Sequence, residues 1–511
     1  MSFLQNMQSE ALESFNSSIT ENGAEGYKTT GKSLLDINFA VSSLRDASDN
    51  TICDKFDAAF GEDNLLALKW LFFARDVRGG LGERRLFRCA MANLASTNED
   101  LVAKLIWLIP EYGRFDDVYS LLGISKNIDE IIFDMINKVL TSDIKAMKAK
   151  KPVTLLAKWL PSCNTSSPQT KAYAKIIRTS LCMSEPQYRK TLVALRKYLD
   201  VVEVKMSARK WSDIDYSTVP SRANIIYKDA FMKHDTDRRQ EFLTALENGE
   251  VKINSSVLYP HEIVTRYSNF RHGTDETLEA LWKALPDEVA GCGNTIVVAD
   301  GSGSMVSTVG NTQTTCLDVA NALSIYFSER SSGEFKNKYI TFSCSPQFVE
   351  FKDEMTLAQK LKVARRHNEV ANTNIEAVFD LILKTAVKSH AKQEDIPANI
   401  LIISDMEFDN CTQTSASGSW AERRPNNKLF KIIQSRFENE GYKLPRLVFW
   451  NVCSRTGTIP VRENELGVAL VSGFSVNICK MVMSGKLDPF ECLLETLNSE
   501  RYKPVEDAIR R

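Results

Sequence analysis

The chain has 511 residues, 43% hydrophobic and 25% charged, with a formal net charge of −1. That length exceeds what one hydrophobic core usually supports, and the composition excludes a disordered, collagenous or disulfide-scaffold protein. Net charge near zero excludes nothing about partners, because only its distribution along the chain can do that.

The first residues, "MSFLQNMQSEALESF", lack a basic start followed by an apolar block, so no secretory signal is expected. Apolar runs such as "LLALKWLFFA" are about half as long as a membrane span requires. The 11 cysteines are scattered singly, and Cys89, Cys453 and Cys479 lie in apolar runs. These features give the expectation of a cytoplasmic protein (nuclear in a nucleated host) with free thiols. The five histidines show no paired ligand spacing.

Residues 1–50 are polar and rich in Ser, Thr, Asn and Gly, which predicts an irregular arm leading into a first helix. From 51 to 290 apolar residues recur at spacings of three and four. "EDNLLALKWLFFARDV", "ERRLFRCAMANLA", "EDLVAKLIWLIPEYG", "DEIIFDMINKVLTSDIKAMKAK", "PQYRKTLVALRKYLDVVEVKM" and "TDRRQEFLTALENG" each read as an amphipathic helix. The pattern predicts an all-α, HEAT-like helical array, although no fixed repeat length is visible. The pair Gly79-Gly80 reads as a helix-ending turn.

After the linker "LPDEVAGCGN" strands alternate with helices. The strands are "TIVVA", "KYITFSC", "QFVEF", "NILIIS", "RLVFWNV" and "VALVSGF", and helices are expected near 313–330, 356–366, 374–389 and 427–440. The apolar strands do not alternate with polar residues, which predicts an α/β domain over 291–511 whose mostly parallel sheet is covered on both faces. Ligands of such sheets bind beyond the carboxyl ends of the strands, where Asp300 and Asp405 stand.

The stretch "DGSGSM" puts oxygen-bearing side chains at Asp300, Ser302 and Ser304. It has no lysine for a phosphate loop and does not match Gly-x-Ser-x-Gly. A phosphotransferase aspartate would want a second carboxylate where Ser302 stands. A hard divalent cation, Mg²⁺ first, fits better, with more oxygens from Thr373 in "ANTN" and Asp405 in "LIISDMEF". "DNCTQTSASGSWAERRPNN" reads as a polar loop beside that edge.

Asp-x-Ser-x-Ser after a first strand, a threonine before a later helix and an aspartate after a further strand resemble the metal-ion-dependent adhesion site of von Willebrand factor A domains. The resemblance implies that Ser302, Ser304 and Thr373 approach the ion most closely. Asp300 and Asp405 would hold it directly or through water, with one position left open for a ligand carboxylate. "ANTN" departs from the family's Gly-Gly-Thr.

Charge is unevenly distributed. Between 141 and 211, 15 Lys and Arg stand against 4 Asp and Glu, a local excess suited to a phosphate backbone. The candidate contacts are Lys145, Lys148, Lys150, Lys151, Lys158, Lys171, Lys175, Arg178, Arg189 and Lys190, with Arg196 and Lys197 in the same run. Trp159, Tyr173, Tyr188 and Tyr198 are interleaved as possible base-stacking surfaces. A second cluster holds Arg75, Arg78, Arg84, Arg85 and Arg88. Solvated helix faces are the plainer alternative for both.

"RDVRGGLGERRLFR", "IPEYGRFDDVYSL", "LAKWLPS", "YRKTLVALRKYLDVVEVKM" and "LYPHEIVTRY", in that order before the sheet region, are similar to an uncharacterised family related to the Ro autoantigen. Such TROVE-like proteins are rings of helical repeats closed by an A domain, and they bind structured small RNAs and single-stranded RNA ends. The resemblance therefore implies a non-enzymatic RNA-binding protein. The alternative from the residues is a protein-interaction scaffold whose metal site captures an acidic residue of a partner.

Overall fold

A computed structural model describes residues 7, 15–21, 25–255, 257–268, 273–289, 294–342, 346–368, 375–407, 427–460, 468–476 and 488–510. The chain forms two compact units. One comprises Met1–Ala67 and Leu258–Asn498, the other Leu68–Val257 and Ser499–Arg511. These limits differ from boundaries at 50 and 290, and the reason lies in the packing of the N-terminal residues.

In the sheet unit, β1 (Ser17–Ile19) and β2 (Glu25–Tyr27) pair antiparallel. The main sheet contains β3 (Thr295–Asp300), β4 (Lys338–Phe342), β5 (Phe348–Glu350), β6 (Asn399–Ser404), β7 (Arg446–Asn451) and β8 (Val468–Ser472). Their order is β5-β4-β3-β6-β7-β8, with only β5 antiparallel to its neighbour. Each expected strand is present. Every residue of β3 and β8 is buried, which explains the missing alternation: both faces are covered.

One face carries Ile296, Val298, Ile400, Ile402 and Phe449 in a core with Val378, Phe379 and Phe437. The other meets the helix Cys316–Arg330, whose Phe327 packs edge-on to Trp450 at 5.6 Å. That helix is buried on almost all sides, as its run "VANALSIYF" requires.

The expected irregular arm is built into this core. Tyr27 and Phe39 belong to the same buried cluster as the sheet residues. Tyr27 exchanges backbone hydrogen bonds with Ile459 at 2.9 and 2.8 Å, and the Asn451 side-chain Nδ2 donates to the Phe39 carbonyl at 2.9 Å. Local periodicity carries no sign of these bonds because their partners are more than 400 residues away.

The helical unit shows the expected amphipathic helices, with two corrections. "EDLVAKLIWLIPEYG" is not one helix: Glu99–Leu105 gives way to a 3₁₀ turn, Ile106–Leu108, and then to Ile109–Tyr112. Pro110 falls in the first turn of that last piece, where its missing N–H costs nothing. "PQYRKTLVALRKYLDVVEVKM" splits into Glu185–Tyr198 and Val202–Ser207 around Asp200, which is left-handed (φ 53). Lys150, Cys182 and Arg209 take the same conformation at other helix ends. For Lys150, the Lys151 amide bonds back to the Ala146 carbonyl at 2.9 Å, a Schellman closure without the usual glycine.

Gly79 and Gly80 form the turn after the helix Asn64–Arg75, as expected. A Cβ on Gly80 would lie 2.0 Å from the Phe73 carbonyl oxygen, so glycine is needed for close backbone approach. Arg239 is fully buried, with its guanidinium 4.9, 5.5 and 5.3 Å from the rings of Tyr216, Phe231 and Phe242. Among the described residues no helix is long and apolar enough to cross a membrane.

Candidate functional site

The sheet's strand order places its topological switch point between β3 and β6. The chain leaves β3 towards β4 on one side and returns to β6 on the other. A crevice opens at such a point beyond the carboxyl ends of the strands. Asp300 ends β3 and Ser404 ends β6, and the Ser404 hydroxyl donates to Asp300 Oδ2 at 2.6 Å.

The turn after β3 is tied to Asp300, whose Oδ1 accepts the Ser302 amide at 2.9 Å. The hydroxyls of Ser302 and Ser304 lie 2.9 Å apart. After β6, the Met406 amide donates to Ser404 Oγ (3.0 Å) and the Glu407 amide to Asp405 Oδ1 (3.2 Å). Met406 itself is left-handed (φ 63) and buried, a strained backbone held by these bonds.

Asp405 carries the unusual electrostatics. Burial and the neighbouring Asp300 carboxylate push its pKa up to about 7, and the nearby Ser304 hydroxyl draws it partly back. Its Oδ2 is buried and has no hydrogen-bond partner among the described residues. Arg455 Nη2 stands 3.7 Å away, too far for a hydrogen bond, and is engaged with Glu21 at 2.6 Å. A buried carboxylate oxygen without a donor, facing a second carboxylate and two hydroxyls, is a site short of a positive charge.

Glu407 does a different job. Its buried carboxylate accepts from the amides of Glu21, Arg455 and Thr456 at 2.8, 2.8 and 2.9 Å, and from the Thr456 hydroxyl at 3.1 Å. It clamps residues 454–456 beside Asp405. The sequence reading passed over Ser404, Glu407 and Arg455, although "SDMEF" offers three oxygen side chains at a strand end.

Cys316 and Cys453 are hydrogen-bonded to each other nearby. That bond and burial push the Cys316 thiol up, while the same bond draws the Cys453 thiol down against its burial, so the proton they share stays on Cys316. Among the described residues no three His, Cys, Asp or Glu side chains come together as a metal set. The side chains tied together at the ends of β3 and β6 are carboxylates and hydroxyls, the ligands of a hard cation. Asp300, Ser302, Ser304 and Asp405 converge there. Thr373 and the loop 409–427 lie outside the described residues, apart from Asn427 at its end.

A cavity of about 510 Å³ opens in the same unit beyond the end of β7. It is lined by Asn451, Cys453 and Arg455, with Lys28, Asp36 and Lys55 from the N-terminal segment. Asp36 is already committed to Thr29 and Thr30.

In the helical unit, Lys145, Lys148, Lys150, Lys151, Lys171, Lys175, Arg189 and Lys190 are exposed, and Lys158 and Arg178 half-buried. None of these ten makes an ion pair with a described residue, so their charge is left to solvent or a partner. Lys171, Lys175 and Arg178 fall on one stripe of the helix Pro168–Ser180, flanking the buried side that holds Ala174 and Ile177.

Three residues are corrected. Tyr188 is buried, its hydroxyl bonded to the Pro161 carbonyl at 3.0 Å, so it offers no stacking face. Arg196 donates to the carbonyls of Ala157 and Leu160 at 2.8 and 2.7 Å, closing the helix Leu156–Trp159. Arg75 is buried against Asp117 and is not a solvated residue.

Residues 294–506 match a family profile described as a domain of unknown function (DUF7788), and residues 165–295 match another, DUF2828. The two meet at the composition change that precedes β3. The chain is also similar to the "Uncharacterized protein L728" of Acanthamoeba polyphaga mimivirus. That protein is 29% identical over 534 residues, which span 96% of this chain and 89% of the viral one.

Proposed function

We propose that the chain is a non-enzymatic RNA-binding protein whose helical unit holds the phosphate backbone, and whose sheet unit is a von Willebrand A-type domain carrying a Mg²⁺ site. The observation that carries the RNA reading is the set of ten basic side chains without carboxylate partners on the helical unit. Counterions condensed on RNA are released when such cations bind, which gives affinity without sequence preference.

A full-length variant with Lys148→Gln, Lys150→Gly and Lys151→Gln tests this. Glycine at 150 suits the left-handed backbone there, so the fold is retained. The slope of log affinity for single-stranded RNA against log salt should fall by about 2, at about 0.7 per lost contact. An unchanged slope would remove the reading.

Asp300, Ser302, Ser304 and Asp405, with Thr373, would hold the ion, and the residues present fit it. The buried, donor-less Oδ2 of Asp405 beside Asp300 calls for a cation. When bound, Mg²⁺ would supply a Lewis-acidic position for a carboxylate of an acidic partner, the scaffold reading of the same unit. The test is thermal unfolding with Mg²⁺ or with chelator. Wild type should gain about 2.7 kcal/mol when Mg²⁺ is a hundredfold above its Kd. Asp405→Asn should lose that response yet melt higher than wild type in chelator, because the carboxylate repulsion is gone. Equal Mg²⁺ responses in the two proteins would rule the site out.

A further inference from the structure

We infer that a cavity in the helical unit, walled in part by Glu203, takes one guanine base of single-stranded RNA, with the Glu203 carboxylate reading the donor edge of the base. This rests on the RNA reading above and adds a base preference to it, which phosphate contacts cannot give.

Three stretches of chain build the cavity, which holds about 330 Å³. Leu155 precedes the helix Leu156–Trp159. Leu199 and Val202 flank the break between Glu185–Tyr198 and Val202–Ser207, and Ile214 and Val219 come from the loop before Ser221–His234. The volume is at the lower end of the roughly 300–1,000 Å³ of small-ligand sites, whose usual lining is apolar with a few polar groups. Five charged side chains also line it. Asp200 is paired with Lys205 at 2.7 Å, and Asp215 Oδ1 accepts the amide and hydroxyl of Ser217 at 3.0 and 2.7 Å. Lys158 Nζ lies 5.7 Å from the Trp159 ring. Glu203 is the least satisfied. Its Oε1 accepts from the Tyr227 hydroxyl at 3.2 Å, its Oε2 is buried without a hydrogen-bond partner, and no cation is paired with it among the described residues.

A carboxylate only accepts, so a ligand that suits it must bring N–H or O–H donors. A buried oxygen without a donor is costly, and a donor in the cavity relieves that cost. The carboxylate turns easily about its last bond, so Oε2 can swing to meet one. Each of its oxygens accepts two hydrogen bonds, so Tyr227 leaves room. Among RNA bases guanine alone carries two adjacent donors on its pairing edge, N1–H and the 2-amino group, which match the two oxygens of a carboxylate. Uracil flanks its one N–H with carbonyls that a carboxylate repels, and cytosine and adenine set an acceptor nitrogen beside their amine. The apolar walls suit the faces of an unstacked base. A lysine or arginine side chain would satisfy Glu203 too, but the surroundings favour RNA. Lys158 lines the cavity, and the Tyr198 hydroxyl, next to Leu199, donates to the Lys151 carbonyl at 3.0 Å. The lysines around this cavity attract a polyanion and repel a cationic side chain.

The experiment measures binding of the full chain to fluorescein-labelled oligouridylates with or without one central guanosine, by fluorescence anisotropy at fixed KCl. Wild type should bind the guanosine-bearing strand about tenfold tighter or more, the size of one bidentate base contact. Glu203→Gln, nearly the same shape, should bring the two affinities together, because its amide nitrogen meets the guanine donors with donors of its own. Inosine in place of guanosine lacks the 2-amino group and should weaken wild-type binding severalfold, which keeps the test decisive if Glu203→Gln folds poorly. Equal wild-type affinity for the two strands would overturn the base pocket and leave the RNA reading intact. A guanosine preference unchanged by Glu203→Gln would overturn the role given to Glu203. No binding of either strand would overturn the RNA reading, and this inference with it. Binding of an arginine-containing peptide that Glu203→Gln abolishes, without any guanosine preference, would assign the cavity to a protein side chain, against the inference.

Discussion

Asp117→Ala should lower the stability of the helical unit by about 3–5 kcal/mol, the usual cost of stripping a partner from a buried charge. Arg75 is 1% exposed, and its Nε and Nη2 both reach Asp117 Oδ2, at 2.9 and 2.7 Å. Arg88 takes the other oxygen at 2.7 Å, and the Arg114 amide caps the helix on the same carboxylate. Removal therefore leaves one guanidinium buried without a counter-charge and a helix without its N-terminal bond. Gly113 records how tightly this is built: a Cβ there would lie 2.5 Å from Asp117 Oδ2 and 2.9 Å from Arg75 Nε. Urea unfolding followed by far-ultraviolet circular dichroism measures the loss. A shift under about 1 kcal/mol, the size of an exposed pair, would show that the ion pair is solvated instead. Asn at 117 should recover little, since its amide nitrogen cannot accept from a guanidinium.

Glu407→Ala should destabilise the sheet unit by less, because it strands several part-buried donors together. The amides of Glu21, Arg455 and Thr456 all end on this carboxylate. Each lost hydrogen bond to a charged group costs about 1.5 kcal/mol or more, and the exposed residues Arg455 and Thr456 can turn their donors to water and recover part of that. The expected net loss is about 2–3 kcal/mol. The Mg²⁺-dependent rise in melting temperature should weaken as well, because Glu407 orients the turn that carries Asp405. Gln at 407 keeps an acceptor oxygen and should restore part of the stability. Loss of the Mg²⁺ response with stability unchanged would contradict the positioning role and make Glu407 a ligand.

Much of the sheet unit was legible in the chain itself. Runs such as "TIVVAD" and "NILIIS" are short, apolar and unalternating, which buried parallel strands must be, and each became a strand. Once those strands are placed, Asp300 and Asp405 have to stand at their carboxyl ends. Helices whose apolar spacing persists, such as Lys126–Lys148 with Ile128, Ile132, Met135 and Ile136 buried, were equally plain. The breaks inside longer patterns, at Ile106–Leu108 and Asp200, were less so, because the apolar spacing continues across both interruptions.

By itself, then, the sequence determined the elements, their order and the kinds of atoms available at the strand ends, since those follow from local periodicity and residue chemistry. Only tertiary structure decided which groups share a place. It took Tyr27 and Phe39 into the sheet core, and turned Arg196 and Tyr188 inward. It left Asp405 Oδ2 without a donor, and set the Arg114 guanidinium over the Trp159 ring. The reason is physical: periodicity reports which face a residue shows, while charge repulsion, orphaned donors and stacking arise between side chains far apart along the chain.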